Sequence, residues 1–220
     1  MIGVLTYNIP HRKTYDTLCM LKAKGYSDVV VFSKPFHYKK SFMPIYEHRP
    51  SVIFDIYPFE LCKNLKFKYI EDKVSNIYLP SNSKILVCGA GIIEKDIIDN
   101  FIVINAHPGI IPNVRGLDAL KWAIIEDQPI GVTSHVLGDE IDAGLIIEKK
   151  IVEITKRDTF HALAQRVYET EVLMLVEAIE KVDDACDYAS PGSNILHKRM
   201  PSNIEEMLLV KFEKLKEKIK

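Results

Sequence analysis

The chain opens with a short apolar run, Ile2 to Thr6, followed by Thr14 to Lys24, where Leu18, Leu21 and the neighbouring Cys19 share one face at helical spacing before Gly25. Ser27 to Ser33 carries Val29, Val30, Val31 and Phe32 in succession and predicts a second strand, buried on both faces. Between residues 34 and 80, Pro35, Pro44, Pro50, Pro58 and Pro80 interrupt a stretch rich in Tyr, Phe and Lys that holds no sustained period. Only short strands near Val52 to Ile56 and Phe67 to Ile70, and a short helix over Phe59 to Asn64, are predicted there. Periodicity returns with a strand at Lys84 to Cys88, a helix at Ile92 to Ile98 and a strand at Phe101 to Asn105. A helix at Leu117 to Glu126, strands at Gly131 to Leu137 and Leu145 to Ile154, and a long helix from Asp158 to Val182 follow, with Asp158 placed to cap the last. This alternation of strands and helices predicts an α/β domain with a mostly parallel sheet covered by helices on both faces.

Residues 183–220 read differently. Pro191, Gly192 and Pro201 mark an irregular connection, and Ile204, Leu208, Phe212, Leu215 and Ile219 then recur along one face of an amphipathic C-terminal helix. The chain therefore divides into a domain over 1–182 and a C-terminal extension over 183–220, whose helix packs on the domain or on a partner subunit as a homodimer surface.

Composition narrows the class. With 220 residues, 47% of them hydrophobic, the chain has the size of one globular domain with a sizeable core. Its 29 basic and 30 acidic residues leave a net charge of -1, which argues against an extended nucleic-acid surface. Cys19, Cys62, Cys88 and Cys186 have neither zinc-site spacing nor disulfide-scaffold density, so reduced thiols in a cytoplasmic protein are expected. Met1 to Tyr7 lacks the basic start and cleavage pattern of a secretory peptide, and no apolar run is long enough for a bilayer.

The candidate chemistry lies where strand 101–105 ends, in Asn105-Ala106-His107-Pro108-Gly109, with Pro112, Arg115 and Gly116 downstream. Ligands of open α/β sheets gather at the carboxyl ends of strands. Two residues apart on extended chain, Asn105 and His107 leave on the same side, and an amide beside an imidazole can donate hydrogen bonds to a developing oxyanion. A second segment, Gly131-x-Thr133-x-His135-Val136, runs through Leu137, Gly138, Asp139, Glu140 and Ile141 into Asp142-x-Gly144-x-Ile146, from which Asp142 can reach back to His107. Each piece also has a plainer reading: His107 as a loop histidine, Asp142 as a turn residue, His135 as a core side chain, Arg115 as a loop anchor. Gly89-Ala90-Gly91 imitates a dinucleotide fingerprint but lacks its third glycine. The mixture of Phe36, His37, Tyr38, Lys39, Lys40, Tyr46, His48 and Arg49 could stack a base and pair a phosphate, and a solvated loop is its plainer reading.

The ordered set of both segments resembles the folate-dependent formyltransferase family, which includes glycinamide ribonucleotide, methionyl-tRNA and sugar N-formyltransferases. The resemblance implies a Rossmann-like fold and transfer of a formyl group from 10-formyltetrahydrofolate to an amine, with Asn105, His107 and Asp142 catalytic and no metal required. It also implies a pteridine slot between Cys88, Gly89, Ala90, Gly91 and Ile92 on one side and Leu137 to Ile141 on the other. His135 and Arg115 are the candidate acceptor-binding residues. Glycinamide ribonucleotide enzymes carry a glycine-rich loop where this chain has Thr6-Tyr7-Asn8-Ile9-Pro10-His11, and methionyl-tRNA enzymes carry a separate C-terminal domain. The expected acceptor is therefore a small-molecule amine, foremost an amino sugar attached to a nucleotide. A glycinamide ribonucleotide-type enzyme and an inactive folate or nucleotide-sugar binding protein are the alternatives.

Overall fold

A computed structural model describes residues 1–36, 43–50, 55–71, 79–138, 142, 144–189 and 195–219. The elements run β1 (Ile2–Tyr7), α1 (Arg12–Ala23), β2 (Val29–Lys34), α2 (Pro58–Leu65), β3 (Lys68–Glu71), β4 (Lys84–Val87), α3 (Lys95–Asn100) and β5 (Ile102–His107). They continue as β6 (Arg115–Gly116), α4 (Ala119–Ile125), β7 (Gly131–Val136), β8 (Gly144–Ile151), α5 (Phe160–Lys181), β9 (Asp187–Ala189), β10 (Leu196–His197), α6 (Ser202–Glu205) and α7 (Leu208–Glu217).

The main sheet has eight strands in the order β3-β2-β1-β4-β5-β7-β8-β9. The pairs from β3 through β5 are parallel, as the βαβ pattern requires, while β5–β7, β7–β8 and β8–β9 are antiparallel. Alternate residues of each parallel strand serve opposite cores. Val4, Val29, Val31, Leu86 and Ile104 join the larger cluster, which includes Leu18 and Leu21 of α1 and Leu163, Val167 and Leu175 of α5. Leu5, Val30, Phe32, Ile85 and Val103 point the other way, onto Ile97 of α3. Both faces are thus covered, which explains why these strands read as continuous apolar runs.

Several boundaries depart from the sequence expectations. The helix expected at Ile92 to Ile98 starts only at Lys95, leaving Ile92 89% exposed. Asp158 does not cap α5: it accepts from Thr155 N at 2.7 Å and pairs with Arg166, while Thr159 Oγ1 takes the cap bond from Ala162 N at 3.1 Å. The single C-terminal helix divides into α6 and α7. Within the stretch read as irregular, β9 extends the main sheet and β10 pairs with β6; strands of two or three residues carry no period and form only because a partner edge is available. The strand expected near Val52 to Ile56 falls mostly outside the described residues, as do His37 to Lys40, Pro191 and Gly192. Among the described residues, no helix is long and apolar enough to cross a membrane.

Candidate active site

β5 is the last strand in the parallel half of the sheet, and its carboxyl end carries Asn105 and His107. Antiparallel pairing with β7 places His135 opposite Asn105 and Thr133 opposite His107, so all four side chains leave the same face. Thr133 is buried and works as a clamp: its hydroxyl donates to Gly109 O at 2.8 Å and accepts from Ile111 N at 3.1 Å. That locks the turn after His107. Gly109 is required there, because a side-chain carbon at its position would come within 2.8 Å of His107 Nε2.

His107 is 4% exposed. Its Nε2–H donates to Val114 O at 3.0 Å, and its Nδ1 lies 3.4 Å from Asp142 Oδ2. Acceptors therefore stand beside both ring nitrogens. The expectation that Asn105 and His107 donate side by side is modified accordingly: Nε2 is committed to a carbonyl, and only Nδ1, in its longer contact with Asp142, is available for exchange with a ligand. Asn105 Nδ2 lies 3.4 Å from His135 Nε2, which uses one of its two hydrogens and leaves the other for the cavity. Asp142 is drawn in from the β7–β8 connection. Its Oδ2 accepts from Gly116 N at 2.8 Å, and its Oδ1 stands 3.9 Å from His135 Nε2. At φ 47° Asp142 occupies the left-handed region, which a short polar side chain tolerates better than most.

Two cavities meet at these residues. One, about 870 Å³, is bounded by Val87, Cys88, Gly89, Ala90, Gly91, Ile92 and Ile93 on one side and by Leu137 and Gly138 on another. The other, about 640 Å³, is bounded by His107, Pro108, Gly116 to Ala119, His48 and the segment Leu196 to Arg199. Asn105, Leu117 and Asp142 line both. The first is mainly apolar, and burial pushes the Cys88 thiol up to about 11, so no thiolate charge enters it. Asp139, Glu140 and Ile141 lie outside the described residues.

His135 and Arg115 are not where acceptor-binding residues were expected. Both are buried, at 0% and 5% exposure, and neither lines either of these two cavities. His135 instead sits behind Asn105 and Asp142 and orients them, and Arg115 belongs to β6, which pairs with β10.

An ion cluster on the cavity wall joins Lys13 and Glu171, which carried no expectation from sequence, to Arg49, whose plainer reading was a solvated loop. Glu171 of α5, 1% exposed, receives Lys13 Nζ at 2.8 Å and Arg49 Nη1 at 2.5 Å, and all three line both cavities. Burial opposes the Glu171 charge, but the two cations outweigh it and hold its carboxyl below the usual range. Burial, reinforced by Lys13 and Arg49, lowers His11 to about 4, and burial with Arg49 and Lys121 does the same to His48. A signal was present: Glu171 falls four residues after Val167 and four before Leu175, a charged residue in the apolar stripe of a helix.

With this geometry established, similarity to known proteins becomes informative. The family described as "Formyl transferase" matches residues 70–179, half of the chain. The chain belongs to the formyl transferase family. A methionyl-tRNA formyltransferase from Fusobacterium nucleatum is 30% identical over 133 residues, covering 56% of this chain and 43% of that protein. A phosphoribosylglycinamide formyltransferase from Bacillus subtilis is 34% identical over 70 residues, covering 31% of this chain and 36% of that protein. The chain thus spans about two fifths of the length of these relatives. In fold, it is similar to an N-formyltransferase from Helicobacter canadensis in complex with folinic acid and dTDP-3-aminofucose, with a TM-score of 0.64, 16% identity and coverage of 97% of this chain and 81% of that one. Formyl transferase membership accounts for the half of the chain that carries β4 through α5, including Asn105, His107 and Asp142.

Proposed function

We propose that this chain transfers a formyl group from 10-formyltetrahydrofolate to a small-molecule amine, foremost the amino group of a nucleotide-linked amino sugar. The observation that carries the reading is the convergence of Asn105, His107 and Asp142 at the junction of two cavities, since a two-substrate transfer needs two adjoining spaces with the reacting groups between them. The larger, mainly apolar cavity suits a flat heterocycle such as a pteridine. The smaller one takes the amine.

In this mechanism the neutral amine attacks the formyl carbon, a C–N bond forms, and the carbonyl oxygen becomes an oxyanion. Asn105 Nδ2 donates its remaining hydrogen to that oxygen, and His107 Nδ1–H, in its long contact with Asp142, shares its hydrogen bond with it. Asp142 stabilises the charged ring and accepts the proton released by the amine. Cleavage of the bond to the folate nitrogen, which takes up the proton held by Asp142, yields a formamide and tetrahydrofolate and leaves Asp142 ionised. His135, Gly116 N and Val114 O act by positioning these groups.

The nucleotide-sugar acceptor is supported by the fold similarity over nearly the whole chain to a protein complexed with folinic acid and dTDP-3-aminofucose. A glycinamide ribonucleotide acceptor has the Bacillus subtilis relative in its favour, but that match covers only 31% of the chain. The experiment is formyl transfer from 10-formyltetrahydrofolate, followed by tetrahydrofolate release, to a panel of thymidine and uridine diphosphate amino sugars and glycinamide ribonucleotide. Transfer to an amino sugar supports the reading. Folate binding without transfer to any amine would instead favour a binding protein.

A further inference from the structure

We propose that the strap from Leu196 to Met200 is the acceptor-recognition element, and that Lys198 and Arg199 hold a phosphate of the acceptor beside the 640 Å³ cavity. The inference rests on the formyl-transfer reading and adds to it the residues that select the substrate.

The strap is built into the wall. Leu196 and His197 pair with Arg115 and Gly116, Leu117 N donates to His197 O at 2.9 Å, and Trp122 Nε1 donates to Lys198 O at 2.9 Å. Met200 is fully buried, and its N–H donates to Asp118 Oδ2 at 2.9 Å. The main chain is thereby fixed on both sides of Lys198 and Arg199, which line the cavity.

Among the described lining residues, cationic side chains outnumber carboxylates by four to three. Lys13, Arg49, Lys198 and Arg199 line it, against Glu171, which Lys13 and Arg49 share, and Asp118, whose Oδ1 stands 3.8 Å from Arg199 Nη1. Asp142 is engaged at the reaction centre. An anionic ligand completes the balance.

Spacing fixes where that anion falls. Gly116 N holds Asp142, and the strap lies one strand spacing beyond Gly116, about 5 Å, with Lys198 and Arg199 one and two residues after the paired His197. A substrate phosphate at the strap and an amine at Asn105 therefore share one cavity. Binding energy at this remote phosphate would orient the amine for attack.

The test is calorimetric titration of thymidine diphosphate, inorganic pyrophosphate and folinic acid into the wild type, the Lys198→Ala/Arg199→Ala pair and the Lys198→Gln/Arg199→Gln pair. Loss of two charge-assisted contacts is expected to weaken both phosphate probes about tenfold or more. Folinic acid affinity stays unchanged and certifies that the variants are folded; the glutamine pair serves if the alanine pair is not. Undiminished affinity of either phosphate probe in a folded variant overturns the inference. So does a wild type that binds folinic acid but neither phosphate probe, a result that leaves the formyl-transfer reading standing.

Discussion

In the proposed transfer, Asn105, His107 and Asp142 divide the work by chemistry, and each is expected to cause a loss of rate when removed. Asn105→Ala removes an oxyanion donor and is expected to lower kcat about 10²–10³-fold. His107→Ala and Asp142→Ala remove acid-base and positioning functions and are expected to cost about 10²–10⁴-fold. Single-turnover rates at saturating donor measure these losses, and near-normal rates in all three folded variants would contradict the roles. On the wall of the smaller cavity, His48 makes stability pH-dependent. Burial holds its folded pKa near 4, below the ordinary 6.5, so the folded protein resists taking up a proton that the unfolded chain accepts. Its contribution is complete above pH 6.5 and is lost as pH falls toward 4, amounting to roughly 3 kcal/mol at most. Melting temperature should therefore fall between those pH values, and less steeply in His48→Asn than in the wild type. Equal slopes would locate the pH dependence elsewhere. At this scale the sequence disclosed residue identity and order well, because the spacing of Asn105 and His107 on a strand determines their shared face. It left open whether Arg115 and His135 line the acceptor site or turn into the protein, since that depends on which strands pair beside them: β10 beside Arg115, and β5 beside His135.

At the scale of elements, local patterns were legible where apolar period and burial agree. β1, β2, β4 and β5 read clearly because both of their faces are buried. The Ile92 to Ile98 run misled because an apolar residue lining a cavity looks in sequence like one packed in a core: Ile92 and Ile93 edge the larger cavity, and the helix waits until Lys95. Asp158 misled because Arg166, eight residues on, binds both of its carboxylate oxygens and leaves Thr159 to cap the helix. The C-terminal elements depend on long-range contacts. Lys121 of α4 and Glu205 of α6 form a fully buried ion pair that fastens the extension to the domain. Glu205→Ala strands the Lys121 charge and is expected to destabilise by about 3–5 kcal/mol, while the paired change Lys121→Met/Glu205→Leu restores most of it. Denaturant titration of the single and double variants checks this, and a double variant as weak as the single one would contradict it. Gly116 joins the extension to the site. With φ 93°, and with an added side-chain carbon only 2.1 Å from His197 O, Gly116→Ala should open the β6–β10 pair. Hydrogen exchange at Leu117 N, which donates to His197 O, is expected to accelerate in that variant; unchanged protection would contradict it.

Across the whole molecule, the sheet changes character where the chemistry sits. The parallel half ends at β5 and the antiparallel arm begins with β7, so one strand presents Asn105 and His107 while its neighbour braces them with Thr133 and His135. The β7–β8 connection then returns Asp142, the loop after β4 walls the larger cavity, and the C-terminal strap walls the smaller one. The α/β class was legible from alternating elements, whereas the antiparallel arm was not, because a strand's direction depends on how the chain returns to the sheet rather than on its composition. In the proposed function these segments form one centre for formyl transfer between the two cavities. Its most direct test is the rate of tetrahydrofolate release from 10-formyltetrahydrofolate with a thymidine diphosphate amino sugar, compared between the wild type and Asn105→Ala. Acceptor-dependent turnover is expected in the wild type, with a fall of about 10²–10³-fold in the variant. Release at the same rate in both proteins would contradict it.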